Sequence, residues 1–160
     1  MTLKISILFL VVFLFSSCDK TRVYDEYKNV GSSWKDKDLV SFEFDAPDTI
    51  NQYDLIVNIR NNHDYEFNNL FLIVALENAN GDLKVDTLEY LMTKPDGSFL
   101  GNGFSDVKEN KLLYSANYQF DTLGKYKVKI EQAVRKRNQI AGEEFLKGVT
   151  DVGFRIEKKQ

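Results

Sequence analysis

The sequence predicts an all-β fold: a two-layer antiparallel β-sandwich of about eight strands, Ig-like or jelly-roll-like. Three observations predict it. From residue 38 onward, segment after segment alternates apolar and polar residues with a period of two. Turn residues such as Asn80-Gly81 and Pro95-Asp96-Gly97 separate those segments at short intervals. Hardly any stretch carries the 3.6-residue period of a helix, which leaves a sandwich as the economical architecture.

The N-terminus has the three parts of a secretory signal. Lys4 is the positive flank, Ile5 to Phe15 the apolar segment, and Ser16-Ser17 the small residues before a cut. The eleven residues from Ile5 to Phe15 cover, at about 1.5 Å each, roughly half of a bilayer core about 30 Å thick. The segment is therefore a cleaved signal, residues 1–17. Phe15-Ser16-Ser17-Cys18 reads as a lipobox, with Phe15 where Leu is commoner. Cys18 then becomes the new N-terminus and carries a thioether-linked diacylglycerol and an N-acyl chain. One acyl chain binds a membrane only marginally, whereas two or three hold a protein there durably. Cys18 is also the one cysteine of the chain. The mature protein thus has no intramolecular disulfide, no cysteine-ligated zinc and no cysteine nucleophile.

Removing residues 1–17 from 160 leaves 143, one domain's worth and enough to bury a core unaided. Lys4 is the only charge lost, so the net charge of −3 becomes −4. That mildly acidic balance argues against nucleic acid or anionic lipid as the main partner.

Residues 18–37 are polar with scattered aromatics and read as an N-terminal tether. Its reach as a free chain is on the order of 25 Å, its second half lying against a domain formed by residues 38–160. In that domain Val40, Phe42 and Phe44 share one strand face, and Tyr53, Leu55, Val57 and Ile59 another. Asn69 to Glu77 is nearly continuous apolar, as a central strand buried on both sides would be. RNNHDYEFNN between these two strands has the composition of a hairpin loop. Leu83 to Met92 follows the Asn80-Gly81 turn, and a long glycine-rich crossing leads to Leu112–Phe120. The clearest alternation is KYKVKIEQAVR, with Tyr126, Val128, Ile130, Gln132 and Val134 inward. Asp121-x-x-Gly124-x-Tyr126 looks like the turn-plus-tyrosine approach to a late sandwich strand. Val152 to Glu157 is the last strand, with Val152, Phe154 and Ile156 on one face.

No catalytic constellation emerges. The chain lacks the GxxxxGK[ST] and GxSxG patterns, and Gly101-Asn102-Gly103 lacks a dinucleotide-site context. His63 is the one histidine, in a loop of Asn and Asp, which rules out a multi-histidine metal site. Asn61, Asn62, Asp64 and Glu66 lack the oxygen spacing of a calcium loop. The sequence points to no enzyme, no metal, no small-molecule substrate and no cofactor beyond the lipid. Two features are candidate interaction surfaces. Phe99 and Phe104 either stand exposed as recognition aromatics or plug one end of the sandwich. Arg135-Lys136-Arg137 either grips an acidic partner or is a solvated turn.

The mature sequence resembles the gliding-motility lipoprotein family GldH. The residues that carry the resemblance are CDKTRVYDEYKNV with Trp34 after it, DLVSFEFDAPDT, NIRNNHDYEFNNLFLIV, DTLEY, PDGSFLGNGFSDVKENKLLY, GKYKVKIEQAVR and GVTDVGFRIEK. It implies a lipid-anchored component of the machinery by which certain rod-shaped Gram-negative bacteria glide. Its expected partners are other envelope proteins of that machinery, and its expected place is the periplasmic face of the outer membrane. It implies no enzymatic activity, and its one transferable functional residue is Cys18. The alternative is a lipid-anchored glycan-binding module with Trp34, Phe99 and Phe104 as the platform.

Overall fold

The computed structural model describes residues 20–136 and 141–159; Cys18 and Arg137 lie outside them. Ten strands follow in chain order: β1 (Arg22–Asn29), β2 (Ser33–Lys35), β3 (Val40–Asp45), β4 (Tyr53–Asn61), β5 (Asn69–Glu77), β6 (Leu83–Leu91), β7 (Lys108–Tyr118), β8 (Lys125–Gln132), β9 (Phe145–Lys147) and β10 (Val149–Lys158). No helix occurs among the described residues. One sheet has the order β1-β10-β4-β7, the other β3-β8-β5-β6, and β2 and β9 form a small ribbon. All pairings are antiparallel. The fold is an all-β sandwich.

The alternation sorts residues as the sequence predicts. Val40, Phe42 and Phe44 of β3, Tyr126, Val128 and Ile130 of β8, and Val152, Phe154 and Ile156 of β10 are all buried between the sheets. The Phe44 and Phe154 rings meet across the layers at 5.6 Å. Burying each such side chain contributes about 1.5–3 kcal/mol. That apolar burial dominates the stability of the fold.

Four elements differ from the sequence expectation. Within the expected tether, Arg22–Asn29, mostly in the half expected to run free, is an edge strand paired along β10. Tyr24 turns inward onto Phe44 and Phe154, at 5.4 and 6.4 Å. The strand is hard to see locally because charged residues flank every aromatic, an edge position that needs little apolar area. The sandwich thus starts at Arg22 rather than at residue 38. Secondly, Arg60–Asn69 is no hairpin, because β4 and β5 belong to opposite sheets; the loop crosses between layers. Thirdly, β5 is buried on one face only. Leu70, Leu72, Val74 and Leu76 point into the core, while Phe71, Ile73 and Ala75 are half-exposed on the outer face. Fourthly, β7 starts at Lys108, four residues earlier than the apolar pattern that begins at Leu112.

The two ends of the sandwich are distinct. At the near end lie Thr21, the loops over residues 46–52 and 119–124, the β5–β6 turn and Lys158. At the far end lie the loops over residues 62–68 and 92–107, and the β2–β9 ribbon. The described chain begins at the near end, with Lys20 and Thr21.

Candidate interaction surfaces

Trp34 supplies no surface. Its side chain, from β2 of the ribbon, is fully buried at the far end, and its indole Nε1–H donates to the Asp38 carbonyl at 2.9 Å. An indole with its one donor satisfied is ordinary core. The expectation that Trp34 belongs to an interaction surface is therefore corrected.

Phe99 and Phe104 share the far-end crossing and divide between the two readings made of them. Phe99 is half-buried, packed against the core and 6.0 Å from the His63 ring. Its backbone forms a bridge with Thr93, and the Leu100 N–H donates to the Met92 carbonyl at 2.9 Å. Phe104 stands fully in solvent, with Leu100 and Val107 also exposed. The turn before it is tightly constrained. Gly103 has φ +155°, and a Cβ there would come within 2.5 Å of the Val107 carbonyl oxygen. Lys108 Nζ donates to the Gly103 carbonyl at 2.6 Å, and Asn102 pairs reciprocally with Glu109. His63 Nε2 lies 3.6 Å from Asp106 Oδ1, both exposed. The far end therefore presents one aromatic and two aliphatics on a braced loop, with a His–Asp pair joining it to the 62–68 loop.

Of the basic run, Arg135 and Lys136 are described. Both are exposed beyond β8. Lys136 pairs with Glu143 at 3.2 Å, and the Gln132 amide ties the same segment down through the Glu143 carbonyl at 2.6 Å. Arg135 edges a shallow depression of about 420 Å³ floored by Phe71, Ile73, Thr87 and Ala133. The sequence-predicted residues are thus distributed over a far-end loop, the interior and the end of β8.

A cluster on the outer face of the β1-β10-β4-β7 sheet was not legible in the sequence. Tyr27 of β1 lies across Gly153 of β10, where a Cβ would stand 2.8 Å from the ring. Its hydroxyl donates to Glu109 Oε1 of β7 at 2.6 Å. The Arg60 guanidinium covers the ring at 4.1 Å and donates to Glu109 Oε2 at 3.3 Å. Burial, then the hydrogen bond to Glu109 and the charge of that carboxylate, push the Tyr27 phenol far above its ordinary range, so it stays a donor. Beside it Arg155 binds Asp25 at 3.0 Å and Glu157, and Lys111 reaches Glu157 at 3.1 Å. Asn58 is completely buried in this layer, and neither of its amide atoms has a hydrogen-bond partner. These groups brace the sheet, tying β1, β10, β4 and β7 together across its outer face. Among the described residues, no three His, Cys, Asp or Glu side chains converge as metal ligands.

The family model described as "GldH lipoprotein" matches residues 22–156. The "Gliding motility lipoprotein GldH" of Flavobacterium johnsoniae is 56% identical over 153 residues, covering 96% of this chain and 95% of its own. The "Gliding motility lipoprotein GldH homolog" of Christiangramia forsetii is 54% identical over 155 residues, covering 97% and 95%. Among solved structures, a family GH115 4-O-methyl-α-glucuronidase overlays with a TM-score of 0.46 at 14% identity, over 90% of this chain and 18% of that one.

Proposed function

The chain belongs to the GldH lipoprotein family, and from that premise we propose that it is a lipid-anchored, non-catalytic envelope component of the bacterial gliding machinery. Two relatives named for gliding motility match it along almost their whole length, which supports a lipoprotein role in that process. It acts through protein–protein contact, on the periplasmic face of the outer membrane, with Cys18 as the acylated residue.

The observation that carries the interaction reading is Phe104. A fully exposed phenylalanine, just after a constrained glycine turn at the end opposite the anchor, is a surface offered to another molecule. The glycan-binding alternative loses its platform, since Trp34 is interior and Phe99 half-buried. A stacking platform for sugar rings needs more than one isolated ring.

The test is a deletion strain followed on glass, restored with wild type, Cys18→Ala or Phe104→Ala. Wild type restores movement. Cys18→Ala yields a folded protein outside the membrane fraction and no movement. Phe104→Ala stays in the membrane fraction and loses an envelope partner that cross-linking recovers with wild type. A deletion strain that glides normally removes the motility role, and an unaltered cross-linking pattern for Phe104→Ala removes the far-end contact.

A further inference from the structure

Cys18 precedes Thr21 by three residues, and the Thr21 carbonyl accepts from the Lys158 N–H at 2.7 Å. An extended chain covers at most about 3.3–3.6 Å per residue, so an acylated Cys18 lies within roughly 10 Å of the near end. Acyl chains reside in a bilayer, so the near end is held at the level of the lipid headgroups. That is a consequence of β1 being folded; a tether running to residue 37 would have left the domain free.

Exposed apolar side chains occupy this same end, Ile50 and Leu123 on its loops and Leu83 just after the β5–β6 turn. Ile50 is 82% exposed and Leu123 66%. Hydrogen bonds join their loops to the point where the chain arrives. The Lys159 N–H donates to the Gln52 carbonyl at 3.0 Å, the Gln119 amide to the Thr49 carbonyl at 2.8 Å, and the Ala46 N–H to the Gly124 carbonyl at 2.9 Å. Each loop is also braced from within. The Asp48 carboxylate accepts from the Ile50 and Asn51 N–H groups and from the Tyr53 hydroxyl, and Asp121 accepts from Tyr126 and Asn78. The carboxylates of these loops are thereby occupied by internal donors. Lys20, Arg22, Lys158 and Lys159 lie in the terminal segments at this end, all exposed, Arg22 also within 3.6 Å of Asp25 and Lys159 within 3.4 Å of Asp54. Long cationic side chains around apolar tips are the pattern of a headgroup-level contact, ammonium toward phosphate and aliphatic carbon toward the acyl boundary.

We propose that the near end docks on the lipid bilayer itself, with Ile50 and Leu123 inserted among the headgroups. The lipid on Cys18 and these two tips make three points of contact, which fix the domain upright. β1 runs from near to far end over eight residues, so Phe104 is carried roughly 25 Å away from the bilayer, at about 3.3 Å per residue. This inference rests on the acylation of Cys18.

The experiment uses the mature chain from Cys18, coupled through that single thiol to a maleimide-bearing phospholipid. The vesicles are phosphatidylethanolamine with phosphatidylcholine brominated on its acyl chains, which quenches tryptophan on contact. Trp34 is buried and gives a constant background. The reporters are Ile50→Trp, Leu123→Trp and, at the far end, Phe104→Trp. The expected result is a blue shift and loss of most reporter emission at positions 50 and 123, with position 104 unchanged. Reporters at 50 and 123 that stay as unquenched as 104 overturn the docking while leaving the anchor intact. Equal quenching at all three positions overturns the fixed orientation. Separately, the mass of the Cys18 peptide from host membranes reports the anchor; a peptide without acyl groups overturns the anchor reading, and with it docking in the cell.

Discussion

Replacing Tyr27 tests whether residues 22–29 are an integral strand or a tether. Tyr27→Phe removes one hydrogen bond to the Glu109 carboxylate, at 2.6 Å, and keeps the ring. Bonds to charged groups contribute about 1.5–3 kcal/mol; both partners here are half-exposed, so solvent screening brings the expected loss to about 1 kcal/mol. Tyr27→Ala also removes the ring packed over Gly153 and its contact with Arg60. The ring's partial burial adds about 1.5 kcal/mol, and the exposed cation–π contact about 0.5 kcal/mol. The total is about 3 kcal/mol, a fall in Tm of roughly 10 °C for a chain of this length. The assay is urea and thermal unfolding of the mature chain followed by circular dichroism. In a Glu109→Gln background the Tyr27→Phe loss shrinks, because the partner charge is already gone. If Tyr27→Ala unfolds with the wild-type midpoint, β1 is not docked. The reasoning that places the near end at the membrane then fails with it.

Trp34→Ala empties a fully buried site and costs about 3–5 kcal/mol in chemical denaturation, where a surface aromatic would cost almost nothing. Gly148→Ala prevents stable folding and leaves the protein in inclusion bodies or proteolysed, because φ is +81° and a Cβ would fall 2.2 Å from the Tyr65 nitrogen. Phe104→Ala leaves the unfolding midpoint within about 0.5 kcal/mol of wild type, as expected for an exposed side chain. Alkaline unfolding follows from Tyr53 and Tyr126, whose phenols burial and their Asp48 and Asp121 partners push up to about 12. A folded value raised above the unfolded value of about 10 means stability is intact below pH about 10 and lost as pH rises through 12. Tyrosine absorbance therefore titrates late and together with loss of structure; early ionisation at folded-state circular dichroism contradicts it.

The strands that carry strong alternation were legible because the period-two pattern is local. Tyr126, Val128, Ile130, Gln132 and Val134 face inward as read, since a pleated strand sends alternate side chains to opposite sides whatever it pairs with. Tyr126 also makes the turn contact expected of it, donating to Asp121 and the Thr122 carbonyl. β1 escaped because its folding energy lies in residues some 130 positions away, the Arg155–Asp25 pair and Phe154 under Tyr24. Trp34 and Phe104 show the same limit from the other side. Both are aromatics in polar segments, and only their places in the fold, one on the β2–β9 ribbon and the other after the Gly103 turn, show that one is interior and the other exposed.

The sequence by itself determined the β-sandwich class and the inward faces of most strands. Only the tertiary structure decided where the domain begins, which aromatics are surface, and that Thr21 and Phe104 lie at opposite ends. The physical reason is that side-chain direction is a property of neighbouring residues, whereas register and end-to-end placement depend on hydrogen bonds between strands far apart in the chain. Those pairings leave two residues between Cys18 and Thr21, where the composition reads as a tether over residues 18–37. On the proposed acylation of Cys18, that short span is what would bring the near end of the sandwich to the membrane.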